Sequence, residues 1–198
     1  MKRLKILILL IAAVIFSFFY AHIEKKHAVY NDNLEENTFL TTGVLSGQME
    51  QTFISKEDAI DGVSVKLQHV GDVSKTTIHF TLLDTESGDV LGENTLKGID
   101  TENNKFNKIP FSSIKGVKGR NLTLVIRGEN EDDKNGLSFV YHTQQEENTT
   151  FILGEEKIEG TLFLRTLVKM FDIETFVILL VFIAYIVGFM SFLYKLFK

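Results

Sequence analysis

Two long apolar runs, one at each end, constrain this chain more than any other feature. Phe176 to Tyr194 reads "FVILLVFIAYIVGFMSFLY" without a charged residue, and Lys195 and Lys198 follow it. A bilayer core takes about 20 apolar residues as a helix. Leu4 to Ala21 reads "LKILILLIAAVIFSFFYA", with Lys5 its only charge. The basic start "MKRLK" also suits a cleavable leader. The apolar run exceeds the usual leader core, however, and Phe19 falls where cleavage after Ala21 would need a small residue. Both runs therefore read as transmembrane helices, within residues 1–21 and 176–198.

Charge sets the expected topology. Lys2, Arg3 and Lys5 flank the first helix on its N-terminal side, and Lys195 and Lys198 flank the second on its C-terminal side. The positive-inside rule places both tips in the cytoplasm and the middle outside the cell. The middle holds all 26 acidic residues and carries a formal charge of −10, against +5 on the tips. So acidic a surface is unsuited to nucleic acid, which needs a basic one. Each helix holds a pair of small residues four apart, Ala13 with Ser17 and Ala184 with Gly188. Such pairs let helix backbones approach closely. They are the candidate packing sites, to each other or to a membrane partner.

Between the helices the apolar period is two. "DGVSVKLQHV" turns Val63, Val65 and Leu67 to one face, and "TTIHFTLLD" does the same with Ile78, Phe80 and Leu82. "NLTLVIRG" repeats it with Leu122, Leu124 and Ile126, and "GLSFVYH" with Leu137, Phe139 and Tyr141. Turn-forming runs separate them: "DTESGD" at 84–89, "GENEDDKNG" at 128–136 and "LGEEK" at 153–157. Short alternating strands without a helical period between them imply an all-β antiparallel sandwich. The chain has no cysteine, so this domain relies on its own core rather than on disulfides. Residues 22–37, "HIEKKHAVYNDNLEEN", are polar and irregular and read as a stalk. The sandwich is expected over 38–167, with a juxtamembrane linker at 168–175.

The order of these pieces resembles a family of bacterial β-sandwich ectodomains that are membrane-anchored or belong to envelope polysaccharide and glycosyltransferase systems. The resemblance runs from about residue 44 to 167. It rests on "QTF" at 51–53, "I-x-G-V-x-V-x-L" at 60–67, Thr76 to Leu91, "F-x-x-I-P-F" at 106–111 and "G-x-L-x-L-R" at 160–165. It implies a jelly-roll of the galactose-binding, carbohydrate-binding type. No binding residue follows from it, because no short polar motif matches.

Catalytic signatures are absent: there is no G-x-S-x-G, H-E-x-x-H or phosphate-cradling G-x-x-x-x-G-K-[ST]. No cofactor or metal site is expected, and the acidic turns read as solvated turns rather than calcium loops. What remains is a polar outward set, Lys66, Gln68, His79, Arg127 and His142, which lines one concave face if its strands are neighbours. Phe106, Phe111, Tyr141 and Phe151 are the available aromatic platforms, with core packing the better reading for Tyr141. The expected function is a two-pass, extracytoplasmic binding or accessory module that touches envelope glycans or a polysaccharide-assembly partner. A structural subunit acting through its helices is the alternative. An envelope enzyme would need a converging carboxylate pair.

Overall fold

A computed structural model describes residues 2–31, 39–45, 47–129, 132 and 134–197. The chain divides into two compact units, residues 26–168 and a second formed by 1–25 with 169–198. The remainder of the expected stalk, part of the 128–136 turn and Lys198 lie outside the described residues.

The larger unit is a two-sheet sandwich. One sheet joins β1 (His22–Ala28), β13 (Leu164–Phe171), β4 (Ala59–Val70), β9 (Gly136–His142) and β12 (Thr161–Leu162), in that order. To it are added β2 (Phe39–Val44) on β9 and β7 (Lys105–Lys115) on β4. The other sheet runs β11 (Glu156–Ile158), β10 (Thr150–Leu153), β3 (Gln48–Ile54), β8 (Asn121–Glu129), β5 (Thr77–Asp84), β6 (Val90–Lys97). Strand β4 is antiparallel to β7, β9 and β13, and β8 to β3 and β5.

The core is the inward half of each alternation. Val63, Val65 and Leu67, then Ile78, Phe80 and Leu82, then Leu122, Leu124 and Ile126 are buried, as are Leu137 and Phe139. Tyr141 and Phe111 pack on this core half-buried, and Phe151 lies inside it. At Gly62 the β4–β7 register shifts, and the backbones come so close that a Cβ would stand 2.5 Å from the Ile109 carbonyl oxygen. Only glycine fits there.

A polar side chain is also buried in this core. Gln51 is on the inner face of β3 and is 1% exposed. Its Nε2 donates to the carbonyls of Thr52 (2.9 Å) and Thr150 (3.2 Å), while its Oε1 accepts from the backbone N–H of Leu162 at 2.8 Å. The amide thus ties the six-stranded sheet to β12 of the other. A buried amide is tolerated when its bonds are made.

The expected stalk is corrected over its first part. Residues 22–28 form β1, hydrogen-bonded to β13. No buried face marks this strand, since its residues are half-buried or exposed. Backbone pairing, not an apolar stripe, holds it. The linker expected at 168–175 is divided between strand and helix: β13 continues to Phe171 and α2 (Ile173–Leu196) begins after Asp172.

In the smaller unit α1 spans Lys2–Tyr20. The rings of Phe18, His22, Phe171 and Phe176 form a contact chain with centroids 4.7–5.5 Å apart, and the N–H of Asp172 donates to the carbonyl of Ala21 at 2.8 Å. Among the described residues one helix, α2, is long and apolar enough to cross a membrane, with a mean hydropathy of 2.8. The apolar part of α1 described with its side chains, Ile8–Tyr20, is shorter than a span.

Two expectations follow. Gln51→Leu orphans the Leu162 N–H and removes two bonds to carbonyls, so urea unfolding should show a loss of about 2 kcal/mol. The second concerns acid. Asp84 Oδ1 accepts from the Ser87 N–H (2.9 Å) and the Glu86 N–H (3.0 Å), and its Oδ2 meets Arg120 Nη2 at 2.5 Å. The Ser87 bond and then Arg120 hold this carboxyl below the usual range. Its stabilisation is complete above about pH 4, the unfolded value, and is lost as pH falls through the lower folded one. Asp84→Asn should flatten the stability-versus-pH curve in that acid window.

Candidate functional site

The five residues expected on one face lie on both sheets. His79 and Arg127 share the outer face of the six-stranded sheet, directly opposite each other on β5 and β8. Lys66 and Gln68 project from β4 on the outer face of the other sheet. His142 also points outward there, but it is buried at 2% exposure.

That second outer face is already covered. Tyr30, Val140 and Phe163 form a small cluster with Phe39 and Phe106 packed against it. Arg165 stacks on Phe106 with its guanidinium carbon 3.8 Å from the ring centre and donates through Nε (2.9 Å) and Nη2 (2.6 Å) to the Tyr30 hydroxyl. Lys66 Nζ sits 5.8 Å from the ring centres of both Phe39 and Phe163. The aromatic faces on this side are thus occupied by the chain's own cations, a cation–π layer that also packs. Gln68 Nε2 approaches Asn104 Oδ1 at 3.4 Å. His142 Nδ1 accepts from the Gln144 N–H at 2.8 Å and holds a loop.

On the six-stranded sheet the outward residues stand in rows across the strands. One row is Gln48 on β3, Arg127 on β8, His79 on β5 and Thr95 on β6. The next is Glu50, Val125, Thr81 and Glu93. They border a groove of about 470 Å³ whose lining includes Gln48, Glu50, His79, Thr81, Arg127 and Glu129, with Val125 and Leu83 as its apolar patches. Arg127 Nη2 donates to Gln48 Oε1 (2.9 Å), and Gln48 Nε2 donates to Glu50 Oε1 (2.7 Å). His79 Nδ1 lies 3.0 Å from Thr95 Oγ1, and its Nε2 lies 3.3 Å from Glu129 Oε2 without hydrogen-bond geometry. A proton on Nε2 suits that carboxylate, leaving Nδ1 to accept from Thr95.

This floor alternates donors and acceptors at strand spacing, which suits a ligand rich in hydroxyls. Its two lining carboxylates stand apart: Glu50 faces Val125, and Glu129 is four residues further along β8. The strand rise makes that about 13 Å, against the roughly 5–10 Å of glycosidase pairs. The sequence reading passed over Gln48, Glu50 and Glu129. Their signal was available, because "GQMEQTF" alternates Gln48 and Glu50 with buried Met49 and Gln51.

The helix pairs separate as well. Ser17 is buried and Ala13 half-buried, whereas Ala184 is exposed and nothing lies within 4 Å of where a Gly188 Cβ would be.

No protein-family model matches the chain, and no curated protein matches it. Among solved structures it is similar to the clostridial cysteine protease Cwp84, with 11% identity, 74% of this chain covered and a TM-score of 0.43. The chain spans 40% of that protein's length. It is also similar to the CBM32 of AlyQ in complex with 4,5-unsaturated mannuronic acid (16% identity, 59% of this chain and 94% of that one, TM-score 0.33). A third similar structure, from infectious bursal disease virus, has 12% identity over 75% of this chain and 42% of that one, with a TM-score of 0.29.

Proposed function

We propose that this chain is a non-catalytic, membrane-anchored module whose jelly-roll-like sandwich binds an envelope glycan in the groove across β3, β8 and β5. The row Gln48–Arg127–His79–Thr95 carries the reading, because it aligns an amide, a guanidinium, an imidazole and a hydroxyl on one floor. Carboxylates and amides in such a floor accept and donate to sugar hydroxyls, and the spacing of Glu50 and Glu129 favours holding over hydrolysis. The basic tips and the acidic middle support two helices with both termini in the cytoplasm and the sandwich outside. The partner is then a polymer of the same envelope.

The full chain in detergent should be retained by an envelope polysaccharide column. Arg127→Ala and His79→Ala should each weaken retention at least about tenfold, while melting as the parent does because both positions lie on the surface. Retention unchanged in both variants would sink the groove.

A second reading, a structural subunit acting through its helices, draws on the open face at Gly188. Gly188→Leu should then abolish co-purification of a membrane partner. Co-purification that survives this change counts against it.

A further inference from the structure

A second cavity differs in chemistry from the groove. It opens between the two sheets where β1, β13 and the end of β3 meet the loop at residues 146–149, and has a volume of about 380 Å³. Its floor is apolar: Phe53, 1% exposed, and the half-buried Val29, both packed in the main core. Its lining carries both signs of charge, Lys56 together with Glu146 and Glu147. Among the described residues, neither Lys56 nor Glu147 has an ion-pair partner.

The rim is held before any ligand arrives. The Glu146 N–H donates to Thr161 Oγ1 (3.0 Å), and Thr149 Oγ1 donates to the Glu146 carbonyl (2.8 Å). Thr149 and Thr161 are both buried, and the same loop is tied at its start to buried His142. Glu146 uses Oε1 to accept from the Asn31 N–H at 3.0 Å. Next to Lys56, Glu57 is engaged by His27 Nε2 at 3.1 Å. A preorganised rim loses little ordering entropy on binding.

We infer that this cleft binds a small zwitterion, an amino acid or the free ends of a dipeptide. The ammonium meets Glu147 and Glu146, the carboxylate meets Lys56, and the side chain lies over Phe53 and Val29. A neutral sugar would leave all three charges without a complement, and an apolar ligand would desolvate them. The volume fits a ligand of this size.

The test is calorimetric titration of the full chain in detergent with alanyl-alanine, its N-acetylated form and its C-amidated form. The free dipeptide should bind, and each blocked form should bind at least about tenfold more weakly. Lys56→Ala should bring the free and C-amidated forms to equal affinity, and Glu147→Gln should do the same for the free and N-acetylated forms. Both sites are exposed, and circular dichroism melting confirms the fold. Equal binding of the three forms to the parent, or no heat from any of them at millimolar concentration, overturns the inference. Arg127→Ala should leave dipeptide binding unchanged, which separates this cleft from the glycan groove.

Discussion

The amide of Gln51 is the interaction on which the sandwich depends most directly. Two sheets can face each other through apolar contacts alone, but such contacts are non-directional and allow sliding. Gln51 adds direction. Its oxygen takes the N–H of Leu162, from a strand 111 residues later, while its nitrogen takes carbonyls of its own sheet. Leu162 belongs to a two-residue strand too short to place itself. With that point fixed, Phe163 points outward into the aromatic layer and Leu164 returns to the core. The order of the covering face therefore traces back to one buried side chain.

Once the sheets are registered, their outer faces have different fates. On the seven-stranded sheet the aromatic residues are filled by Lys66 and Arg165. On the six-stranded sheet the outward residues around the groove are mostly polar or charged, with Val125 and Leu83 between them. The open groove lies on the second sheet, whereas the first has used its aromatic and cationic side chains on itself.

The strands of the core were legible in the sequence because Val63, Val65, Leu67 and their counterparts alternate with polar neighbours along a half-buried strand. Strand β1 was not, since "HIEKKHA" has no apolar face and is held by backbone bonds that leave no periodic trace. The polar set was readable as outward, residue by residue, and each member does leave the core. Its division between two sheets follows from strand order, a long-range property that alternation does not encode. His142 shows the same limit in another way: outward direction did not mean exposure, because Phe39 from β2 lies against its ring, with centroids 5.9 Å apart.

Strand β13 pairs through Leu164–Leu167 with β4, and one residue after its end α2 begins. A force applied along the length of β13 meets these four antiparallel pairs together. The bonds to β4 are then loaded side by side in shear, and must yield together rather than peel one after another.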